Sequence, residues 1–244
     1  MKPFSDIHCH VLFGVDDGAR DMKHSLNMLS FMYDEGIRTV IMTPHYRIGF
    51  ADAACDVLRS RFETLARAAS SDDRLSQMDL YLGSEIHYTP SMTQWLDEKK
   101  VLTMAGSDYV LTEFSYTASL REMEEGISLL VNAGYHPVIA HLERCIELDG
   151  KLDDVYHLIE MGAYVQVNTE SLYKRMFART PFAVRLLKED MVHFVATDSH
   201  GIRHRAPLMK DAARFITGCC GQKTCERILY DNPLTMIDNG IIDS

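Results

Sequence analysis

Short runs of β-forming residues alternate with longer segments of helical periodicity along this chain of 244 residues. Such alternation predicts parallel strands joined by right-handed helical crossovers, because a tight turn cannot connect two parallel strands. No low-complexity linker or sequence repeat interrupts the pattern, so we expect a single domain over residues 1–244. The seven predicted strands are Phe4–His8, Thr39–Thr43, Asp79–Gly83, Tyr109–Glu113, Pro137–His141, Tyr164–Asn168 and Val192–Thr197.

Two of the intervening segments have an apolar stripe at helical spacing. Each stripe is followed by a glycine, which is typical of a helix end. The first stripe is Met22, Leu26, Leu29 and Tyr33 before Gly36; the second is Leu120, Met123, Ile127, Leu130 and Val131 before Gly134.

Side chains of the metal-binding type lie at or just past the carboxyl ends of six of the seven predicted strands. In a (β/α) barrel these ends meet at one face, whereas an open sheet gathers ligands mainly at one switch point. We therefore expect an α/β fold with a barrel-like parallel sheet. The residues are His8, His10, His45, Glu85, Glu113, His141, Asp198 and His200.

Each signal has a structural alternative when it is taken alone. The pair His8 and His10 points one way from an extended strand and can grip a metal ion, but it also fits two exposed or capping histidines. Asp16 and Asp17 precede Gly18 and also fit a plain turn, and Glu85 and Glu113 each fit a structural ion pair. With Asp17 included, nine ligand-type residues fall on one predicted face, which favours a metal site.

Six other histidines share no such register. We expect them to have surface or packing roles. They are His24, His87, His136, His157, His193 and His204.

Charge and composition exclude several classes of protein. The formal net charge is -10 and lysine and arginine form no cluster, so we expect no nucleic-acid partner. No apolar stretch approaches the ~18 residues that span a bilayer, and the first ten residues contain no apolar signal region, so we expect a cytoplasmic protein without membrane insertion. The six scattered cysteines are expected to be reduced thiols.

The ordered motifs DIHCHVLFGVDDGA, TPHY, GSEI, TEFS, AHLERC and ATDSH, with Arg205 and Pro207, resemble a known family. They are similar to the PHP (polymerase and histidinol phosphatase) superfamily, and within it to the bacterial tyrosine-protein phosphatases of the CpsB/CapC/YwqE type. The resemblance extends from residue 6 to about residue 207. It implies a distorted (β/α)7 TIM-like barrel and three divalent metal ions, most commonly Mn²⁺.

The resemblance also implies a role for each matching residue. His8, His10, Glu85 and Asp198 would bind one metal ion, and Glu85 would bridge to a second ion held by Glu113 and His141. Asp17, His45 and His200 would bind the third ion. Arg144 and Arg205 match arginines that contact phosphate. The chain departs from the common family pattern at Leu142, Cys145 and Ala206.

The residue types suit phosphate ester hydrolysis. Four carboxylates against three divalent ions leave a local charge of about +2, which attracts a phosphate dianion. Mixed imidazole and carboxylate ligands suit Mn²⁺, Zn²⁺ or Fe²⁺. A metal lowers the pKa of bound water toward ~7, so a metal-bound hydroxide would be available for in-line attack at phosphorus. Tyrosine, with a pKa of ~10, is a better leaving group than an aliphatic alcohol.

Several alternatives stay open. Cys55 and Arg61 satisfy the Cx5R spacing of cysteine-based phosphatases, although the segment has a helical pattern and contains no glycine. An amidohydrolase, a TatD-type nuclease or a small-molecule phosphomonoesterase of the histidinol-phosphatase type would use similar ligands. A non-catalytic metal-binding regulatory module is also compatible with the pattern.

The resemblance further implies a partner. The expected substrate is the phosphotyrosine tail of a membrane-associated bacterial tyrosine kinase of capsule or exopolysaccharide biosynthesis. The composition gives no information about this partner.

Overall fold

The computed structural model describes residues 2–173 and 181–242. It has an α/β fold in which every pairing between the strands of these ranges is parallel. The strands are β1 (Phe4–Cys9), β2 (Ile37–Met42), β3 (His45–Tyr46), β4 (Asp79–Leu82), β5 (Glu85–His87), β6 (Tyr109–Glu113), β7 (His136–Ile139), β8 (Tyr164–Asn168) and β9 (Phe194–Ala196).

Helices separate most of these strands, as the alternating pattern predicts. They are α1 (Met22–Asp34), α2 (Cys55–Ser70), α3 (Met92–Asp97), α4 (Leu120–Asn132), α5 (Leu152–Glu160), α6 (Thr169–Tyr173), α7 (Phe182–Lys188), α8 (Met209–Cys220), α9 (Gln222–Glu226) and α10 (Asn232–Ile237). The predicted stripes of α1 and α4 are correct in part: Leu29 and Ile127 are buried, whereas Val131 is exposed because it lies at the margin of the packed face.

The sheet has two hydrogen-bonded sections, with strand orders β1-β2-β4 and β3-β5-β6-β7-β8-β9. The break was not predicted from the sequence, which placed His45 and Glu85 just past two strand ends. Both residues instead begin short strands of their own and pair with each other. Pro44, which has no N–H to donate, lies at the break, and its carbonyl accepts from the backbone N–H of Glu85 at 3.0 Å.

The sheet curls so that its first and last strands meet near their carboxyl ends. The backbone N–H of Asp198 donates to the carbonyl of His8 at 2.8 Å, and the N–H of His10 donates to the carbonyl of Ser199 at 2.9 Å. Below these bonds, the buried Asp6 carboxylate accepts from the backbone N–H of Thr197 at 3.0 Å. The chain segments that carry the predicted ligands are therefore fixed to each other.

Apolar side chains fill the inside of the curled sheet toward the amino ends of its strands. This inner core contains Ile7, Leu111 and Phe194, and Met236 of α10 packs onto it. The hydroxyl of Tyr109 donates to the carbonyl of Gly240 at 2.8 Å, which fixes the residues after α10 beneath the sheet. The polar residues are thus confined to the carboxyl ends of the strands.

None of the helices in residues 2–173 and 181–242 combines the length and the apolar character that crossing a bilayer requires.

Gly126 in α4 packs tightly against aromatic rings. A β-carbon at this position would lie 2.7 Å from a ring carbon of Tyr88 and 2.9 Å from ring carbons of Phe114. Gly218 in α8 has no such neighbour within 4 Å. Gly126 and Gly218 are therefore a matched pair for alanine substitution, since both lie within helices and only the first is closely packed.

We expect Gly126→Ala to lower the free energy of unfolding by about 1–2 kcal/mol, because overpacking outweighs the better helix propensity of alanine. Gly218→Ala should raise it by about 0.5–1 kcal/mol. Urea unfolding of the two variants at one fixed metal concentration measures both effects. Equal stabilisation by the two substitutions would contradict the packing described for α4.

Candidate metal centre

The structure brings all nine predicted ligand residues to one face of the sheet. Three groups have ligand atoms within 4.8 Å of one another, a spacing at which they could hold metal ions. The groups are His8, His10 and Asp198; His45, Glu85 and Glu113; and His10, Asp17, His45 and His200.

The first group lies at the junction of β1 with the segment after β9. Nε2 of His10 is 3.4 Å from Oδ1 of Asp198, and Nε2 of His8 is 3.7 Å from the same oxygen. Oε2 of Glu85 lies 3.3 Å from Nε2 of His8 and 3.4 Å from Nε2 of His10. These four residues, which the resemblance assigns to one metal ion, are therefore close together and buried.

The second group is built on β3, β5 and the end of β6. Nδ1 of His45 lies 2.7 Å from Oε2 of Glu85. Nε2 of His141 lies 2.9 Å from Oε1 of Glu85 and 3.7 Å from Oε1 of Glu113. The three residues assigned to a second ion are thus adjacent, and His45 lies closer to them than the sequence indicated.

The third group is nearest to solvent. Oδ1 of Asp17 lies 3.3 Å from Nε2 of His200 and 3.5 Å from Nε2 of His45. The Asp17 side chain is 52% exposed, in contrast to the buried carboxylates of Glu85 and Asp198. The third group is therefore the side of the centre that is open to solvent.

Burial and charge act against each other at this centre. Burial works to raise the pKa of Glu85, but the imidazoles of His8, His10, His141 and His45 outweigh it and hold that pKa well below its usual value. Burial likewise opposes the protonation of His10, yet the carboxylates of Asp16, Asp198 and Glu85 beside its ring hold the His10 pKa well above its usual value. The site stabilises anionic carboxylates by concentrating positive charge, which a metal ion supplies equally well.

Several ligand-type atoms are buried and have no hydrogen-bond partner among the described residues. Buried polar atoms of this kind cost free energy unless something else satisfies them. They are Nε2 of His8, His10 and His200 and Oε2 of Glu85. Their donor chemistry fits a divalent ion with mixed nitrogen and oxygen ligands.

Asp16 is a site residue that the sequence analysis did not assign. Its Oδ2 accepts from Nδ1 of His10 at 2.7 Å and from the backbone N–H of His45 at 3.0 Å. Asp16 therefore fixes the ring orientation of one candidate ligand and the backbone of another. The chain at Gly18 passes close to the backbone of His10, which only glycine permits, because a β-carbon there would lie 2.2 Å from the carbonyl oxygen of His10.

Two buried amides in β8 support the ligands from the opposite side. Oε1 of Gln166 lies 3.0 Å from Nδ1 of His8 and accepts from the backbone N–H of His141 at 2.8 Å. Nδ2 of Asn168 donates to Oδ2 of Asp198 at 2.8 Å. Their signal in the sequence was the occurrence of amides in an otherwise apolar predicted strand.

Both predicted phosphate-contacting arginines reach the candidate ligand Asp198. Nη1 of Arg144 lies 3.0 Å from its Oδ2, and Nη2 of Arg205 lies 2.5 Å from its Oδ1. His141, Asp198 and Arg205 have positive φ angles of 33°, 49° and 50°. Such backbone conformations are costly for residues other than glycine and often occur at functional sites.

Two further expectations concern residues near the site. His87 was expected to have a surface or packing role, and its Nδ1 lies 3.3 Å from Oε2 of Glu113, because β5 ends beside β6. Cys55 begins helix α2, so the amides of the Cx5R segment are not arranged as an anion-binding loop. Burial raises the pKa of the Cys55 thiol, which disfavours the thiolate that cysteine-based catalysis requires.

We expect Asp16→Asn to weaken metal binding by about 10–100-fold, because an amide cannot accept from both N–H groups with the charge of a carboxylate. Equilibrium competition with a chromophoric chelator measures the affinity. Asp72→Asn is the matched control, since Asp72 accepts from backbone N–H groups of Arg74 and Leu75 in an exposed turn. Equal affinity in both variants would contradict the role of Asp16.

Comparison with known proteins adds to this geometry. The family model described as "Capsular polysaccharide synthesis, CpsB/CapC" matches residues 4–238. The tyrosine-protein phosphatase CpsB of Streptococcus pneumoniae is 33% identical, with 97% of this chain and 99% of that protein covered. The tyrosine-protein phosphatase YwqE of Bacillus subtilis (strain 168) is 34% identical, with 82% of this chain and 78% of that protein covered.

A solved structure agrees with the sequence comparisons. It comes from crystal structures of YwqE from Bacillus subtilis and CpsB from Streptococcus pneumoniae, described as unique metal-dependent tyrosine phosphatases. The TM-score is 0.90 at 31% sequence identity, with 98% of this chain and 96% of that chain covered. This chain therefore belongs to the CpsB/CapC family of capsular polysaccharide synthesis proteins.

Proposed function

We propose that this protein is a metal-dependent protein-tyrosine phosphatase. The observation that carries the proposal is the joint position of the three ligand groups and the two arginines at Asp198. The names of the relatives support the same activity. We further propose that residues 1–244 form one domain with a distorted (β/α)7 barrel of the PHP type, which the hydrogen bonds between the first and last strands support.

The proposed cofactors are three divalent metal ions, with Mn²⁺ first and Zn²⁺ or Fe²⁺ as alternatives. His8, His10, Glu85 and Asp198 would hold one ion. Glu85, Glu113 and His141 would hold the second, and Asp17, His45 and His200 the third. When bound, such ions neutralise phosphate charge and activate water as a nucleophile.

Arg144 and Arg205 would bind the substrate phosphate. Their planar guanidinium groups match two non-bridging oxygens each, and they approach from the side of Asp198. In the transition state these oxygens carry the spreading negative charge, so the two arginines stabilise it more than the ground state. The phenolic leaving group needs little help from a general acid, because its pKa of ~10 lies far below that of an aliphatic alcohol.

Exposed aromatic side chains beside the ligands suit an aryl substrate. The ring of Phe50 is 66% exposed, and its centroid lies 6.2 Å from that of His45. The ring of Tyr116 lies 6.1 Å from that of His141, and its hydroxyl lies 3.5 Å from Nη1 of Arg144. A phosphotyrosine ring would pack against such faces, whereas phosphoserine has no ring to pack.

The proposed substrate is the phosphotyrosine tail of a membrane-associated bacterial tyrosine kinase of capsule or exopolysaccharide biosynthesis. The family description supports this setting. A cytoplasmic location would place the protein beside the kinase tail.

Chelator-stripped protein should hydrolyse a phosphotyrosine peptide only after Mn²⁺, Zn²⁺ or Fe²⁺ is restored, and faster than the matched phosphoserine peptide. Asp198→Ala should lower kcat by at least about 10²-fold, because it removes a ligand and the partner of both arginines. Phosphate release measures each rate.

Cys55→Ser is the control for the cysteine mechanism and should keep full activity. Loss of activity in this variant with unchanged metal content would overturn the metal-dependent mechanism. Turnover of histidinol phosphate alone would leave a small-molecule phosphomonoesterase as the function.

Arg144→Lys and Arg205→Lys should each lower kcat/KM for the phosphotyrosine peptide by about 10–100-fold, because lysine keeps the charge but loses the two-pronged contact. Metal content, measured by atomic emission, should stay at the wild-type level. Arg185→Lys is the matched control, since Arg185 lies on α7 and contacts the carbonyl of Gly150. An unchanged kcat/KM in both variants would exclude the arginines from phosphate binding.

A further inference from the structure

A cavity of about 540 Å³ opens beside the proposed metal centre and has no role in the mechanism described above. Its walls come from the turn that leads into α1 and from the loop after His200. The basic and imidazole side chains in these walls are those of Arg20, Lys23, His24, His200, Arg203 and His204. We call it the basic cleft.

Three cationic side chains of the basic cleft have no anionic partner among the described residues. Arg20, Lys23 and Arg203 are exposed, and their side chains make no hydrogen bond or ion pair with any residue in the ranges 2–173 and 181–242. The one acidic residue in the wall, Asp21, accepts from the backbone N–H of His24 at 2.8 Å and caps α1. Three cations thus lie together in a chain whose formal net charge is -10.

Several other exposed cationic side chains of this protein are paired with carboxylates. Lys151 contacts Glu147, Arg121 contacts Glu125 and Arg214 contacts Asp211. Unpaired cations that share one cavity wall repel one another, and an anionic ligand relieves that repulsion. A further polar atom in the wall, Nδ1 of His24, is buried and has no hydrogen-bond partner among the described residues.

The position of the cleft identifies its ligand. His200 lines the cleft, and its Nε2 lies 3.3 Å from Oδ1 of Asp17 in the third ligand group. A peptide whose phosphotyrosine occupies the metal centre would therefore pass a neighbouring residue over the cleft. Resting on the proposed function, we propose that the basic cleft binds a second anionic group of the same peptide, a carboxylate or a phosphate close in sequence to the phosphotyrosine.

The cleft makes this protein selective for acidic phosphopeptides. Each contact between exposed charges contributes little in water, so two or three contacts amount to about a tenfold preference. The preference should weaken as ionic strength rises, because salt screens exposed charges. Hydrolysis of a small aryl phosphate, which does not reach the cleft, should be independent of these side chains.

The test compares two charge-matched double variants. Lys23→Gln with Arg203→Gln removes two cations from the cleft. Lys188→Gln with Lys223→Gln removes two exposed cations that lie outside the cleft. Lys188 is the last residue of α7, and Lys223 lies on α9. None of these four residues belongs to the proposed catalytic machinery.

Three phosphotyrosine peptides of one length serve as substrates: one with neutral glutamine neighbours, one with glutamate neighbours and one with a second phosphotyrosine. In the cleft variant, kcat/KM for the glutamate or the doubly phosphorylated peptide should fall about tenfold, while the neutral peptide and a small aryl phosphate are unchanged. A loss of kcat/KM for the glutamate peptide identifies a carboxylate as the bound anion. A loss only for the doubly phosphorylated peptide identifies a phosphate. Equal rates for all peptides in the wild-type protein, or equal losses in the two double variants, would overturn the proposal.

A binding experiment separates this proposal from the proposed function. The same peptides with a phosphonate in place of the tyrosine phosphate cannot be hydrolysed, and calorimetry gives their affinity for the Mn²⁺-loaded protein. Tighter binding of the acidic peptides, lost in the cleft variant, supports the cleft even if no turnover is found. Catalysis with no difference in affinity or kcat/KM among the peptides would leave the phosphatase intact and exclude the cleft.

Discussion

The Glu85 carboxylate is the interaction on which the polar face of the sheet depends. Four imidazoles, from His8, His10, His45 and His141, approach its two oxygens at 2.7–3.4 Å. A buried carboxylate is costly unless positive charge or hydrogen bonds compensate for it, so these contacts hold four chain segments in register. The apolar core lies below this compensated charge, toward the amino ends of the strands.

The fold was predictable from the sequence to the extent that periodicity is local. All seven predicted strands are present, and the residues at their ends meet as expected because parallel strands share a carboxyl face. The division after Met42 and Leu82 was not predictable, because it depends on how β3 and β5 pair across the sheet. Periodicity along one strand carries no information about such a pairing.

Prediction of the candidate site shows the same limit. Ligand-type residues were recognisable because histidine and carboxylates at strand ends are conspicuous. The supporting roles of Asp16 and Gln166 were not, since each acts through a hydrogen bond to another residue. The contact of His87 with Glu113 was not predictable for the same reason, and the basic cleft joins side chains that lie far apart in the sequence. Local signals identify candidate ligands, whereas the surrounding contacts require the folded chain.

The junction of the first and last strands has a consequence for folding. His8 and Asp198, whose side chains lie 3.7 Å apart, come from the first strand of the sheet and from the segment just after its last strand. Contacts of such long sequence separation form late and slow the folding of a domain. A complete metal site then exists only after almost the whole sheet has assembled. Metal ions would therefore stabilise the finished molecule by mass action rather than partly folded intermediates, and metal uptake would report that folding is complete.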